Sequence, residues 1–116
     1  WTGAWINRSS AMLDAGMTGA AVDDARRAVE LEPESGTTLN MLCWTLIQDG
    51  RARTALPLCE QAVTLEPESG AIVHSHASAL EALGRMDEAL PLYRRAWQLA
   101  PDDPEIAQDY QRTHNP

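Results

Sequence analysis

The feature that most constrains this chain is a repeat. Leu31-Glu32-Pro33-Glu34-Ser35-Gly36 returns unchanged as Leu65-Glu66-Pro67-Glu68-Ser69-Gly70, and a looser copy follows as Leu99-Ala100-Pro101-Asp102-Asp103-Pro104. Pro33, Pro67 and Pro101 stand 34 residues apart. A fixed period of that size marks a repeat architecture, so the chain reads as three copies of one unit. Each proline lacks an N–H and disfavours helix in the residue before it, which ends one helix and resets the chain for the next. Gly16, Gly50 and Gly84 recur at the same interval, where glycine reaches the left-handed conformation that closes a helix. Each copy therefore splits into two helical segments. The first would span about residues 3–15, 37–49 and 71–83, the second about 19–32, 53–66 and 87–100.

The second segments carry a small-residue face at helical spacing. It consists of Ala21, Ala25, Ala28 and Val29, then Ala55, Cys59, Ala62 and Val63, then Ala89, Tyr93, Ala96 and Trp97. Ala21, Ala55 and Ala89 let paired helices approach closely, and Leu56, Leu90 and Tyr93 fill the outer part of the seam. Acids stand in early turns (Asp23 and Asp24, Asp87 and Glu88), where the helix dipole favours them. Asp23 and Asp24 read as solvated outer-face residues.

At this point the sequence resembles the tetratricopeptide repeat, a helix–turn–helix unit of 34 residues. The best match is Val73, Ala77, Leu80, Gly84, Ala89, Tyr93, Ala96 and Pro101; the second copy follows with Leu39, Leu42, Cys43, Leu46, Gly50, Ala55, Cys59, Ala62 and Pro67. The first keeps Trp5, Met12, Gly16, Ala21, Ala28 and Pro33. Arg8, Ala25 and His76 depart from it, standing where the family expects large apolar residues. The resemblance implies an all-α fold, a right-handed superhelix of antiparallel helix pairs. Repeats would occupy residues 2–35, 36–69 and 70–103, with 104–116 as a C-terminal capping helix. Pro104 suits a first helical position, and Ile106, Ala107 and Tyr110 form a short apolar stripe to cover the last repeat.

In this family the first helix of each pair lines a concave groove that holds a peptide or partner helix. Carried over by position, the first row is Gly3, Ile6, Asn7, Ser10, Leu13 and Asp14. The second is Thr37, Asn40, Met41, Trp44, Ile47 and Gln48, and the third is Ala71, His74, Ser75, Ser78, Glu81 and Ala82. The middle row is large and apolar at Met41, Trp44 and Ile47, and a tryptophan there suits an anchor for a partner side chain. The alternative is that Trp44 packs as ordinary core. Asn40 and His74 occupy equivalent places suited to hydrogen-bonding an extended peptide backbone. Chaperone-binding relatives grip a C-terminal carboxylate with basic and amide groups. The matching positions here are Ile6, Ser10, Met41, Ala71 and Ser75, which leaves no charge for such a clamp.

Cys43 and Cys59 both lie in the seam of the second copy. A disulfide requires Cα atoms within about 7 Å, which close helix pairs satisfy, but two buried free thiols fit the seam equally well. The pattern around them also resembles bacterial extracytoplasmic tetratricopeptide proteins, some carrying a transglutaminase-like domain. That likeness implies the disulfide no more strongly than the free thiols; a Cys43–Cys59 bond would go with an oxidising, periplasmic compartment, free thiols with the cytoplasm.

Charge and composition exclude more than they assign. Net charge is −8, with 17 acids against 9 basic residues, all arginine, which disfavours nucleic acid as a partner. The balance reads as an acidic surface resisting aggregation. No apolar run approaches the roughly 18 residues of a membrane span. His74 and His76 point to different helix faces and no acid or cysteine completes a ligand set, so neither metal nor other cofactor is expected. No phosphate loop or nucleophile constellation is present, and catalysis is not expected. The expected role is a protein-interaction scaffold whose groove takes a peptide or helix. The competing role is a spacer or self-association segment of a larger bacterial protein, as homodimer or continuing into further repeats, possibly beside an enzyme domain. The start at Trp1, without methionine, and the pair Trp1 and Trp5 one turn apart motivate it.

Overall fold

A computed structural model describes residues 1–114. Among the described residues there are seven helices: α1 (Thr2–Asp14), α2 (Thr18–Leu31), α3 (Gly36–Gln48), α4 (Ala52–Leu65), α5 (Gly70–Ala82), α6 (Met86–Leu99) and α7 (Pro104–His114). Three helix pairs and a single helix follow the expected order. Residues 115 and 116 of the expected cap lie outside the described residues.

Each of α1 to α6 starts and stops about one residue before its expected bound, and the caps of α3 and α5 explain the shift there. The Ser35 hydroxyl accepts the Thr38 N–H at 3.3 Å and the Ser69 hydroxyl accepts the Ile72 N–H at 3.3 Å. The repeated Ser-Gly is thus an N-cap followed by the first helical residue, rather than the end of a corner. Asp103 caps α7 in the same way, accepting the N–H groups of Glu105 and Ile106 at 3.0 and 3.2 Å. Between paired helices, Gly16, Gly50 and Gly84 sit at φ near 77°, 77° and 75°, the left-handed region expected of them. Pro57 and Pro91, again one period apart, stand inside α4 and α6. Both face solvent, so the N–H each removes leaves a carbonyl that water can satisfy.

Packing sets the curvature. α1, α3, α5 and α7 touch in succession and form an inner layer, whereas α2, α4 and α6 each touch only inner-layer helices. Neighbours that meet on one layer and splay on the other wind into a solenoid with the inner helices on the concave side. The molecule measures 40 × 26 × 25 Å. The seams are built as the small residues dictate: Ala21, Ala25, Ala28, Ala55, Cys59, Ala62, Ala89, Tyr93 and Ala96 are all buried. Val29, Val63 and Trp97 are half-buried at the margins.

One expectation is corrected. Asp24 is not solvated: it is only 6% exposed, and its carboxylate lies 3.4 Å from the Arg8 guanidinium on α1. The seam of the first repeat draws the side chain inward, because Asp24 occupies the position filled by Leu58 and Leu92 in the later repeats.

Candidate functional site

The inner layer presents the three expected rows unequally. On α1, Asn7 and Ser10 are exposed while Ile6 and Leu13 are half-buried. On α3, Met41 and Ile47 pack against the core around Leu42, Cys43 and Leu46, each keeping part of its surface open, and Gln48 is exposed. Trp44 is half-buried between them, its ring 5.7 Å from that of His74. On α5, His74 and Ser75 are buried, and the Ser75 hydroxyl donates to the Ala71 carbonyl at 3.1 Å.

The polar groups of α5 are turned toward α6 and α7. His74 Nε2 and Asp109 Oδ2 are hydrogen-bonded at 2.6 Å. The Tyr93 hydroxyl donates to Glu81 at 2.6 Å and reaches Ser78 at 3.3 Å. Arg112 grips Glu81 with two bonds of 2.7 Å and Asp109 with one of 3.2 Å. That guanidinium holds the Glu81 carboxyl below its usual range, the Tyr93 hydroxyl assisting, while burial pushes the Tyr93 phenol upward. His74, Ser78 and Glu81 thus belong to the joint that seats α7. Composition and spacing carried no sign of it, because Asp109 and Arg112 lie 35 and 31 residues from their partners.

Where α7 begins, it meets the inner layer and borders an open hollow of about 170 Å³ lined by Asn40, Trp44, Ala71, His74, Ser75, Asp103, Glu105 and Ile106. Of these, Asp103, Glu105 and Ile106 escaped the sequence reading of the site, since they lie at or beyond the end of the third repeat, away from the three first-helix rows. A second hollow, about 380 Å³, opens at the other end between Trp1, Gly3, Ile6, Glu32 and Thr37. No lysine or arginine lines either.

Beneath Trp44, Cys43 and Cys59 join α3 to α4, with sulfurs 2.03 Å and Cα atoms 5.3 Å apart, both side chains fully buried. The equivalent positions hold Ser9 with Ala25 and Ala77 with Tyr93. Among the described residues no cluster of histidine, cysteine and carboxylate side chains is placed to hold a metal. No described helix is long and apolar enough to cross a membrane.

The comparisons with known proteins agree with this architecture. A family model described as Tetratricopeptide repeat matches residues 3–111. No curated protein sequence matches the chain. Among solved structures, the first TPR domain of human RPAP3 superposes with a TM-score of 0.86 at 17% identity, covering 97% of this chain and 89% of that one. The Thermobaculum terrenum O-GlcNAc transferase, solved as a mutant, superposes with a TM-score of 0.88 at 19% identity; the match covers 97% of this chain but 22% of the transferase. The first TPR of Spaghetti (RPAP3), solved bound to the HSP90 peptide SRMEEVD, gives 0.83 at 17% identity, covering 97% and 90% of the two chains. The chain belongs to the tetratricopeptide repeat family, and its fold is the α-solenoid of antiparallel helix pairs.

Proposed function

We propose that the concave face is a docking groove for an extended peptide or a helix of a partner protein, anchored at Trp44. The observation that carries this reading is Trp44 itself. It stands half-buried beside a hollow on the inner layer, flanked by Met41 and Ile47, and an aromatic side chain so placed supplies rigid contact area at little entropic cost. Asn40, Ser75 and His74 line the same hollow, and Ile6, Asn7, Ser10, Leu13 and Gln48 extend the surface along α1 and α3. Structural relatives solved with HSP90 and HSP70 peptides support peptide docking on this fold. The partner differs in kind, because Ile6, Ser10, Met41, Ala71 and Ser75 supply no cation for a terminal carboxylate. The Cys43–Cys59 bond fits the same reading as a staple fixing the helix that carries Trp44, and it suits an oxidising compartment.

Trp44→Ala tests the anchor. Peptides selected on the wild-type chain from a random display library should bind the variant at least about tenfold more weakly, in keeping with interface hot spots. Helicity and melting temperature should stay close to wild type. A variant that unfolds instead identifies Trp44 as core and removes the anchor.

A second reading has its own observation. Trp1 is 89% exposed at the open edge of α1, next to the larger hollow, and suits self-association or stacking on further repeats. Sedimentation velocity discriminates: a clean monomer at high concentration argues against self-association.

A further inference from the structure

The hollow beside Trp44 has a charge character that points to what fills it. Asp103 and Glu105, in the turn and first residues of α7, form its rim. Acids there are favoured by the helix dipole, yet both side chains also wall the hollow. Asp103 spends one oxygen on capping α7, which leaves the other free. Glu105 makes no ion pair among the described residues. Further in, Asn40 Oδ1 is fully enclosed with no hydrogen-bond partner among the described residues, an uncompensated carbonyl dipole at the same wall.

Beyond the α7 N-terminus itself, no free side-chain cation among the inner-layer arginines offsets this negative charge. The two arginines of the inner layer are already engaged, Arg8 by Asp24 and Arg112 by Glu81 and Asp109. His74 Nε2 is matched by Asp109. An acidic ligand group would meet two carboxylates without a counter-ion, whereas a cation would meet them together with the indole of Trp44.

Resting on the docking reading above, we propose that this hollow is a specificity pocket for a cationic side chain, arginine or lysine, of the docked peptide. The aromatic wall of Trp44 takes the cation's face, and Asp103 and Glu105 take its charge and N–H groups. The pocket is then opposite in sign to a carboxylate clamp, and it selects basic segments of partner proteins.

The test uses random peptides displayed on phage, panned against the whole chain and counter-screened against Trp44→Ala. Trp44-dependent binders should share an arginine or lysine at one fixed position. In a fluorescein-labelled synthetic copy, replacing that residue by uncharged citrulline or norleucine should weaken binding about tenfold. Glu105→Gln should weaken the parent peptide about threefold to tenfold, and it should leave the citrulline peptide unchanged. Trp44-dependent binders without a basic position, or equal affinity for the charged and uncharged peptides, overturn the cation pocket and leave the docking groove standing. Failure to recover any Trp44-dependent peptide overturns both.

Discussion

Arg8 and Asp24 each look wrong alone: a charge on α1 where an apolar residue is expected, and an acid within the seam. By position they replace Leu42 and Leu58 of the second repeat, so an apolar contact has been exchanged for an ion pair of 3.4 Å. A pattern applied one position at a time flags Arg8 and passes over Asp24, because the compensation is a contact between helices. His76 stands at the same place in the third repeat without such relief. Its Nδ1 is enclosed with no partner among the described residues, and burial lowers its pKa below the ordinary 6.5. Glu60 and Glu88 act against that lowering and Arg85 acts with it. The folded chain therefore holds His76 neutral, whereas the unfolded chain protonates it near 6.5. Stability attached to this group is intact above 6.5, declines as pH falls toward the lowered folded value, and loses nothing more below it. His76→Leu removes an unsatisfied buried nitrogen, so it should stabilise the fold by about 1 kcal/mol near neutral pH. It should also flatten the decline between roughly pH 7.5 and 5.5. Urea unfolding across that range checks both effects, and a variant no more stable than wild type with an unchanged slope contradicts them.

At the scale of helices the period was sufficient to place six of them, because prolines and glycines at a fixed interval leave few ways to lay out helix pairs. Pro57 and Pro91 fall inside the spans that the period assigns to helix, against the rule that proline ends one. The rule that proline ends a helix holds at the corners and yields where an exposed carbonyl can turn to water. The cysteines lie between these cases. Spacing put both in one seam, but thiol and disulfide fit that seam alike until the backbones are placed, 5.3 Å apart at Cα. The bond closes a loop with a sequence separation of 16, for which the chain-entropy relation gives about 3 kcal/mol. Cys43→Ala with Cys59→Ala should therefore lower unfolding free energy by about 2–4 kcal/mol. Adding a reductant should destabilise the wild type by a similar amount and leave the double variant unaffected. Thiol titration of the denatured, unreduced protein provides the direct check: two free thiols would remove the staple from the account of how α3 and Trp44 are held.

For the whole molecule, the decisive element is the one outside the repeats. An array of helix pairs ends on an exposed seam, and α7 covers it by seating Ile106 among Val73, Ala96, Leu92 and Trp97. Tyr110 stacks on Trp97 at 4.6 Å and His114 on Tyr110 at 4.4 Å. The apolar stripe announced a cap. The His74–Asp109 and Glu81–Arg112 links were not legible, since side chains that pair across more than thirty residues leave no mark on local pattern. Through those links α7 takes up polar groups of α5, and it adds its own first turn to the hollow. Magnitudes rank the contributions. Burial of Ile106 is worth about 1.5–3 kcal/mol, and each partly exposed ion pair at most about 1 kcal/mol. Stability in a solenoid is a sum of repeat and interface terms, so losing the cap should weaken the third repeat first. A chain ending at residue 103 should then lose about 3–4 kcal/mol, with amide exchange accelerating in α5 and α6 well before α2. Ile106→Ala, which keeps α7, should cost about 2–4 kcal/mol, while Arg112→Ala should cost about 1 kcal/mol or less. If Arg112→Ala proves the more damaging of the two, the cap is held by its charges and not by its apolar stripe. If the shortened chain keeps its exchange protection in α6, α7 does not seal the array.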